Sequence, residues 1–303
     1  MFFTACQIKC LIREAASINL TSYHLVLSVR ASSKHRNLPA YIHKYGPMIL
    51  YSRSFMAGLL PILLLAASSC ASHKHAGAAD KDGYELIFDG KTLDGWLYDP
   101  VYWRAENGAL VGEVTPSTLL TRNSFIIKKG FITNDFELKV EYRISAEGNS
   151  GINYRSEIID SLPYSMRGYQ ADIDGKNRYT GQNYEERKRT TLAYRGQKVI
   201  IDSYGDAGEL KDNIKNNAWT KANVIDSLGT DAGLKAHIRN GDWNEYHLIV
   251  KGNRLLHYVN GILMSDVTDN DPAYQKFSGS LGVQVHVGPP MKIEYRNFRV
   301  KRL

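Results

Sequence analysis

Residues 136–144 read FELKVEYRI. Phe136, Leu138, Val140 and Tyr142 alternate with Glu137, Lys139, Glu141 and Arg143. A period of two is that of a β-strand with one apolar face and one charged face; a helix would repeat its apolar positions every three to four residues. The same texture extends in both directions. ALVGEV (109–114), GINYRSEI (151–158), YQADID (169–174), EYHLIVKG (245–252), RLLHYVNG (254–261), GSLGVQVHV (279–287) and KIEYRNFRVKRL (292–303) are short alternating or apolar runs. Turn-forming pairs separate them: Asn107-Gly108, Gly148-Asn149, Asp174-Gly175, Gly252-Asn253 and Asn260-Gly261. Helical signal is scarce, and residues 210–236 carry the best of it. About a dozen strands with almost no crossover helices predict an all-β fold: an antiparallel β-sandwich of the jelly-roll kind.

The N-terminal part has a different composition. Residues 56–70 read MAGLLPILLLAASSC, an apolar run behind Arg53 that ends on small residues and Cys70. This is the layout of a secretory signal, too short to span a bilayer. Ala67-Ser68-Ser69-Cys70 resembles the lipobox of bacterial lipoproteins. The resemblance implies cleavage before Cys70, lipidation of its thiol, a membrane anchor and a place in the bacterial cell envelope, periplasmic or surface-exposed. Met48 begins a conventional signal. The expected organisation is therefore 1–47 non-native upstream translation, 48–69 signal peptide, 70–83 tether and 84–303 one domain.

The charge follows the same division. The chain carries 38 Lys and Arg against 31 Asp and Glu. Seven of the basic residues and one acid lie in residues 1–70, which leaves 31 against 30 in the remainder. The domain is thus nearly neutral, and nucleic acid is not an expected partner. Cys6 and Cys10 also fall in the discarded part, so the core must supply the stability without a disulfide.

Several strands carry polar residues where one solvated face does not demand them. Asn153, Arg155 and Glu157 alternate with Ile152 and Tyr154. Gln170, Asp172 and Asp174 alternate with Tyr169, Ala171 and Ile173. Gln284 and His286 alternate with valines, and His257 lies between Leu256 and Tyr258. If these strands neighbour one another in the concave sheet of a jelly roll, whose exposed face is the usual carbohydrate groove, the rows, about 4.8 Å apart, make a compact site. A solvated sheet face is the ordinary alternative, above all for Glu157 and Asp174 near strand ends. Trp103 and Trp243 are expected in the core.

Other chemistries find no support. There is no phosphate loop or dinucleotide fingerprint, no nucleophile elbow, and no His-Glu-x-x-His run or thiolate zinc set. A covalent two-carboxylate glycosidase needs an acid at the position that Gln170 occupies. A carboxylate-and-histidine cation site stays open.

FDGKTLDGW (88–96), WRAENGALVGE (103–113), GNSGINYRSE (148–157), GYQADID (168–174), GDWNEYHLIVKGNRLLHYVNG (241–261) and GVQVHVGPPMKIEYRNFRVKRL (282–303) together resemble the 3-keto-disaccharide hydrolase family, also described as 3-keto-glucoside 1,2-lyase and 3-keto-2-hydroxy-glucal hydratase. The resemblance implies a concanavalin A-like jelly roll. It also implies a 3-keto-glycoside substrate, oxidised at C3 by a separate enzyme. The C3 ketone acidifies the C2 proton; a base removes it, the C1 oxygen substituent leaves by β-elimination, and water adds back. Asp172, His286 and Arg155 are the expected catalytic residues, with His286 or Asp172 as base and Arg155 or a bound divalent cation on the enolate. His257 or Glu157 would assist the leaving group. Asn153, Gln170, Tyr194 and Gln284 complete the expected substrate contacts. No cofactor is required. Residues 178–202 depart from the family's shorter stretch and alter one groove wall. The competing expectation is a non-catalytic carbohydrate-binding jelly-roll lipoprotein.

Overall fold

The computed structural model describes residues 79–202, 211, 212, 215 and 222–303. The expected signal, the lipidation site Cys70 and residues 1–47 lie outside the described residues. Among those described, the strands in chain order are β1 (Glu85–Leu86), β2 (Trp96–Leu97), β3 (Trp103–Glu106), β4 (Ala109–Val114), β5 (Ser124–Thr133), β6 (Phe136–Ile144), β7 (Asn149–Ile158), β8 (Met166–Asp174) and β9 (Asn183–Glu186). There follow β10 (Thr190–Ala193), β11 (Gln197–Ile201), β12 (Asn223–Ser227), β13 (Asn244–Lys251), β14 (Arg254–Val259), β15 (Ile262–Asp269), β16 (Gly279–Val285) and β17 (Met291–Arg302). A short helix, α1 (Asp231–Lys235), lies between β12 and β13.

The strands form two layers. One sheet runs β12-β11-β15-β14-β13-β6-β17-β4-β3, with β1 added on β17; the other runs β10-β9-β8-β7-β16-β5-β2. Pairing is antiparallel except between β11 and β15. The fold is the expected antiparallel β-sandwich. FELKVEYRI is β6, near the middle of the larger sheet, and its burial alternates residue by residue. Phe136, Leu138 and Val140 stand opposite Val250, Leu248 and Tyr246 of β13. Ile152, Tyr154, Tyr169, Ala171 and Ile173 of the smaller sheet join them in one core. Phe136 meets Tyr154 edge-on across the layers, with ring centroids 5.9 Å apart. Each such buried side chain contributes about 1.5–3 kcal/mol.

The turns follow from their sequences. Asn107 and Gly108 both have positive φ, as do Asn260 and Gly261. This is the geometry that a two-residue hairpin turn requires and that Asn-Gly supplies cheaply. Within residues 210–236, residues 211, 212 and 215 are helical, as expected, whereas Asn223–Ser227 is an exposed edge strand. The end of the segment makes the helix α1, capped where the Thr230 hydroxyl accepts from Gly233 N. Trp103 is buried, as expected, and so is Trp96. Trp243 is not in the core. It is half-buried, with the guanidinium groups of Arg296 and Arg143 3.9 and 4.9 Å from its ring.

A buried ionic cluster ties the layers beside β9. Arg189 donates to Glu185 at 2.6 Å and, from two nitrogens, to both oxygens of Asp269, at 2.6 and 3.0 Å. Tyr169 donates to Asp269 as well, at 2.5 Å. Glu185 belongs to the smaller sheet and Asp269 to the larger. The outer face of the smaller sheet is divided. One part is apolar, where Phe125, Ile127 and Met166 pack together with Leu97. The other part is polar and holds the candidate site.

Candidate active site

Tyr169, Ala171 and Ile173 of β8 point into the core, so Gln170 and Asp172 point outward. Cross-strand pairing places Gly151 beside Asp172, Asn153 beside Gln170, and Tyr184 on the other side of Gln170. Gly151 leaves a gap in the β7 row. A Cβ there would lie 2.6 Å from the Gln170 side chain, so glycine lets that side chain lie across the strand. Gln170 Nε2 then donates to Asp172 Oδ1 at 2.7 Å, and Gln182 Nε2 donates to Asp172 Oδ2 at 2.5 Å. The carboxyl is held by two neutral amides and no cation.

Burial pushes Asp172 up to about 7; the two amides pull the other way, and the nearby Glu186 and Asp174 add to the rise. Glu186, on β9, is also raised, chiefly by burial, although Arg187 and the Asn123 amide oppose this. Two buried carboxyls that resist ionisation therefore sit close together. Both line a cavity of about 490 Å³, together with Gln170, Gln182, Tyr184, Arg178, Tyr179, Tyr194 and His286. His286 is held neutral by burial, which lowers its pKa. Its Nδ1 lies 2.6 Å from the carbonyl oxygen of Val287, which can only accept, so Nδ1 carries the proton. The other ring nitrogen, Nε2, is thus the basic one.

The structure brings Gln170, Asp172, Tyr194 and His286 together and sends the other expected residues elsewhere. Arg155 does not reach the cavity. The β7–β8 register shifts between Asn153 and Glu157, and Arg155 takes φ 45°, which breaks the alternation that placed it beside Asn153. Its buried guanidinium donates to the carbonyls of Asn134, Gly252 and Lys276 at 2.9, 2.6 and 3.1 Å and to Asp135 at 2.8 Å. It is a clamp on three connections, not an enolate-binding group. His257 belongs to the other sheet and faces the core. Its Nε2 lies 2.8 Å from the Tyr154 hydroxyl, and burial pushes it down to about 3, so it stays neutral and out of reach of substrate. Glu157 sits at the far end of β7. Partial burial raises it, but Arg167, Lys188 and Lys276 outweigh this and hold it down to about 2, which is unsuited to giving a proton to a leaving group. Asn153 and Gln284 lie fully buried, and the Gln284 amide lies against Glu186, whose rise it opposes. Asp174 serves its turn: its carboxylate accepts from the backbone N–H of Arg178, Tyr179 and Thr180.

Glu186, Gln182, Tyr184 and Arg178 were not anticipated. Gln182, Tyr184 and Glu186 do alternate with Asn183 and Glu185. Both faces of that run are polar, so no apolar stripe marks it as a strand; Glu185 is turned inward only because Arg189 is there to pair with it. No three His, Cys, Asp or Glu side chains among the described residues converge in a way that suits a metal ion.

Residues 83–301 match the sequence profile of the 3-keto-alpha-glucoside-1,2-lyase-like domain. The chain belongs to that family. A 93-residue stretch, 27% of the chain, is 36% identical to a 3-keto-disaccharide hydrolase of Bacteroides thetaiotaomicron and spans 30% of that relative's length. A candidate glycosyl hydrolase from Parabacteroides distasonis has a solved structure that matches 75% of this chain and 99% of its own, with 19% identity and a TM-score of 0.45. The carbohydrate-binding module CBM66 of Bacillus subtilis matches 68% of this chain and 95% of its own, with 16% identity and a TM-score of 0.42. The family covers the whole of the sandwich, so the groove with Asp172, Glu186 and His286 lies within the domain that defines it.

Proposed function

We propose that the chain is an exported enzyme that cleaves 3-keto-glycosides by removing the C2 proton and eliminating the C1 substituent, with water adding back to complete net hydrolysis. One observation carries the reading. Asp172, pushed up to about 7, and a second carboxyl raised by burial, Glu186, share a cavity with a neutral histidine whose ring presents a basic nitrogen. An elimination of this kind needs a base and a proton donor, and no covalent nucleophile.

His286 Nε2 takes the C2 proton, and the C2–H electron pair forms the enolate with the C3 carbonyl. The enolate collapses to the C1–C2 double bond as the C1–O bond breaks. The departing oxygen takes its proton from the Asp172–Glu186 pair. A neutral carboxyl donating into a poorly solvated site also stabilises the enolate oxygen, the place that the sequence had given to Arg155. Water then adds at C1 and C2 is reprotonated. The family and the relative named a 3-keto-disaccharide hydrolase support the substrate class. The lipid anchor at Cys70 and the cell-envelope location remain part of the proposal, on the sequence alone. Incubation of the purified protein with a 3-keto-disaccharide is expected to release free sugar, with a 2-hydroxy-glucal as intermediate. Binding without turnover would instead favour a carbohydrate-binding module.

A further inference from the structure

A second cavity of about 290 Å³ adjoins the first. Asn149, Arg178 and His286 line both, and so form the junction. Asp172 and Glu186 line the larger cavity and not the smaller. The smaller one is bounded by Asp174, which lies one strand repeat beyond Asp172, or about 7 Å along β8. Bond-breaking belongs beside the carboxyls. Whatever is attached to the reacting ring on this side must pass His286.

We propose that the smaller cavity is the subsite for the departing half of the substrate, and that it takes a neutral saccharide. This rests on the larger cavity being the site of 3-keto-glycoside cleavage. The charge at the subsite is balanced. Lys176 is paired with Glu147 at 2.6 Å, and Arg178 approaches Asp174 at 3.9 Å. An anionic sugar would find no unmatched cation there. The lining mixes these polar groups with Ala146, Val287 and Pro289, so a sugar ring meets both hydrogen-bonding partners and apolar surface.

The wall is held in place. The Asp174 carboxylate fixes one side of the turn carrying Arg178 and Tyr179. On the other side, buried Arg195 donates to the carbonyls of Asn177 and Thr180 at 3.0 and 2.6 Å and to Asp231 of α1 at 2.6 Å. Arg178 itself is 62% exposed and lines both cavities, with its guanidinium 5.2 Å from the Tyr179 ring, where sugar hydroxyls can reach it.

The test uses the full chain with two substrates, a 3-keto-disaccharide and methyl 3-keto-glucoside. Val287→Trp fills the smaller cavity from an exposed position, so folding is not at issue. It is expected to lower kcat/KM for the disaccharide about tenfold relative to the methyl glycoside, mainly through KM. Arg178→Ala is expected to shift the ratio in the same direction. A ratio unchanged in both variants, while the wild type turns over both substrates, overturns the subsite and leaves the cleavage reading intact. Better turnover of a disaccharide whose departing half is a uronic acid overturns the assignment to a neutral sugar. A wild type that turns over neither substrate overturns both readings.

Discussion

Replacing Asp172 with Asn is expected to lower activity by orders of magnitude and at the same time stabilise the fold at alkaline pH. Asp172 titrates near ~3.9 in an unfolded chain and near about 7 in the groove. The sign follows from linkage. A group whose folded pKa is raised keeps its proton longer in the folded state, so ionisation works against folding. Below about pH 4 both states are protonated and Asp172 costs nothing. Between about pH 4 and pH 7 stability declines, and above pH 7 the full penalty is in place. The gap of about three pH units corresponds to about 4 kcal/mol. Asparagine does not titrate and avoids it. Its NH2 would meet one of the two amide donors now facing the carboxyl, but Gln170 Oε1 has no protein partner and can turn to accept. Allowing about 1 kcal/mol for that rearrangement leaves a gain of about 3 kcal/mol at pH 8. For a domain of this size the gain is about 6–12 °C in Tm. At pH 4.5 the two proteins should melt nearly together. Thermal melts at both pH values, paired with kcat/KM, make the assay, and activity is expected to fall about 10²–10⁴-fold. A variant that melts below the wild type at pH 8, or by a margin independent of pH, would show that Asp172 is an ionised structural group and refute the reasoning.

Further outcomes follow from the same groups. The pH profile of kcat/KM should be bell-shaped: the acid limb reports protonation of His286, below its ordinary value, and the alkaline limb near pH 7 reports loss of the Asp172 proton. His286→Ala should cut kcat/KM at least about 100-fold while leaving the melt unchanged, measured by turnover and calorimetry. Arg155→Ala should destabilise by about 2–3 kcal/mol, since it removes a buried guanidinium from three partly buried carbonyls and Asp135. Its kcat at a temperature where it is folded should match the wild type, whereas a catalytic Arg155 would lose turnover without losing stability. A chelator is expected to leave turnover unchanged, because the reaction is assigned to the chain's own side chains.

The architecture was legible wherever one face of a strand was apolar. FELKVEYRI, YQADID and GVQV each declared their inward residues, and the Asn-Gly pairs declared their turns. Strand alternation also found Gln170, Asp172 and His286, because the residues between them had to face the core. It failed where backbone geometry departs from the regular pleat. At Arg155, a positive φ and a register shift turn the side chain away from the row it was assigned to. His257 shows a second limit, because alternation says that a residue faces one way but not which layer lies there. Glu186 shows a third. Its strand has polar side chains on both faces, and the inward one is tolerated only because Arg189, Asp269 and Tyr169 meet between the sheets. That is a pairing of residues 80 positions apart, and no local pattern carries it.

Removal of the C2 proton is the central step of the proposed reaction. Turnover of a 3-keto-disaccharide in deuterated water, followed by analysis of the released 3-keto sugar, tests it directly. Deprotonation by His286 and reprotonation after water addition should place solvent deuterium at C2. A product that keeps its original C2 hydrogen, formed with no 2-hydroxy-glucal and with no rate effect from deuterium placed at C2 of the substrate, would mean direct displacement at C1, and would contradict the elimination.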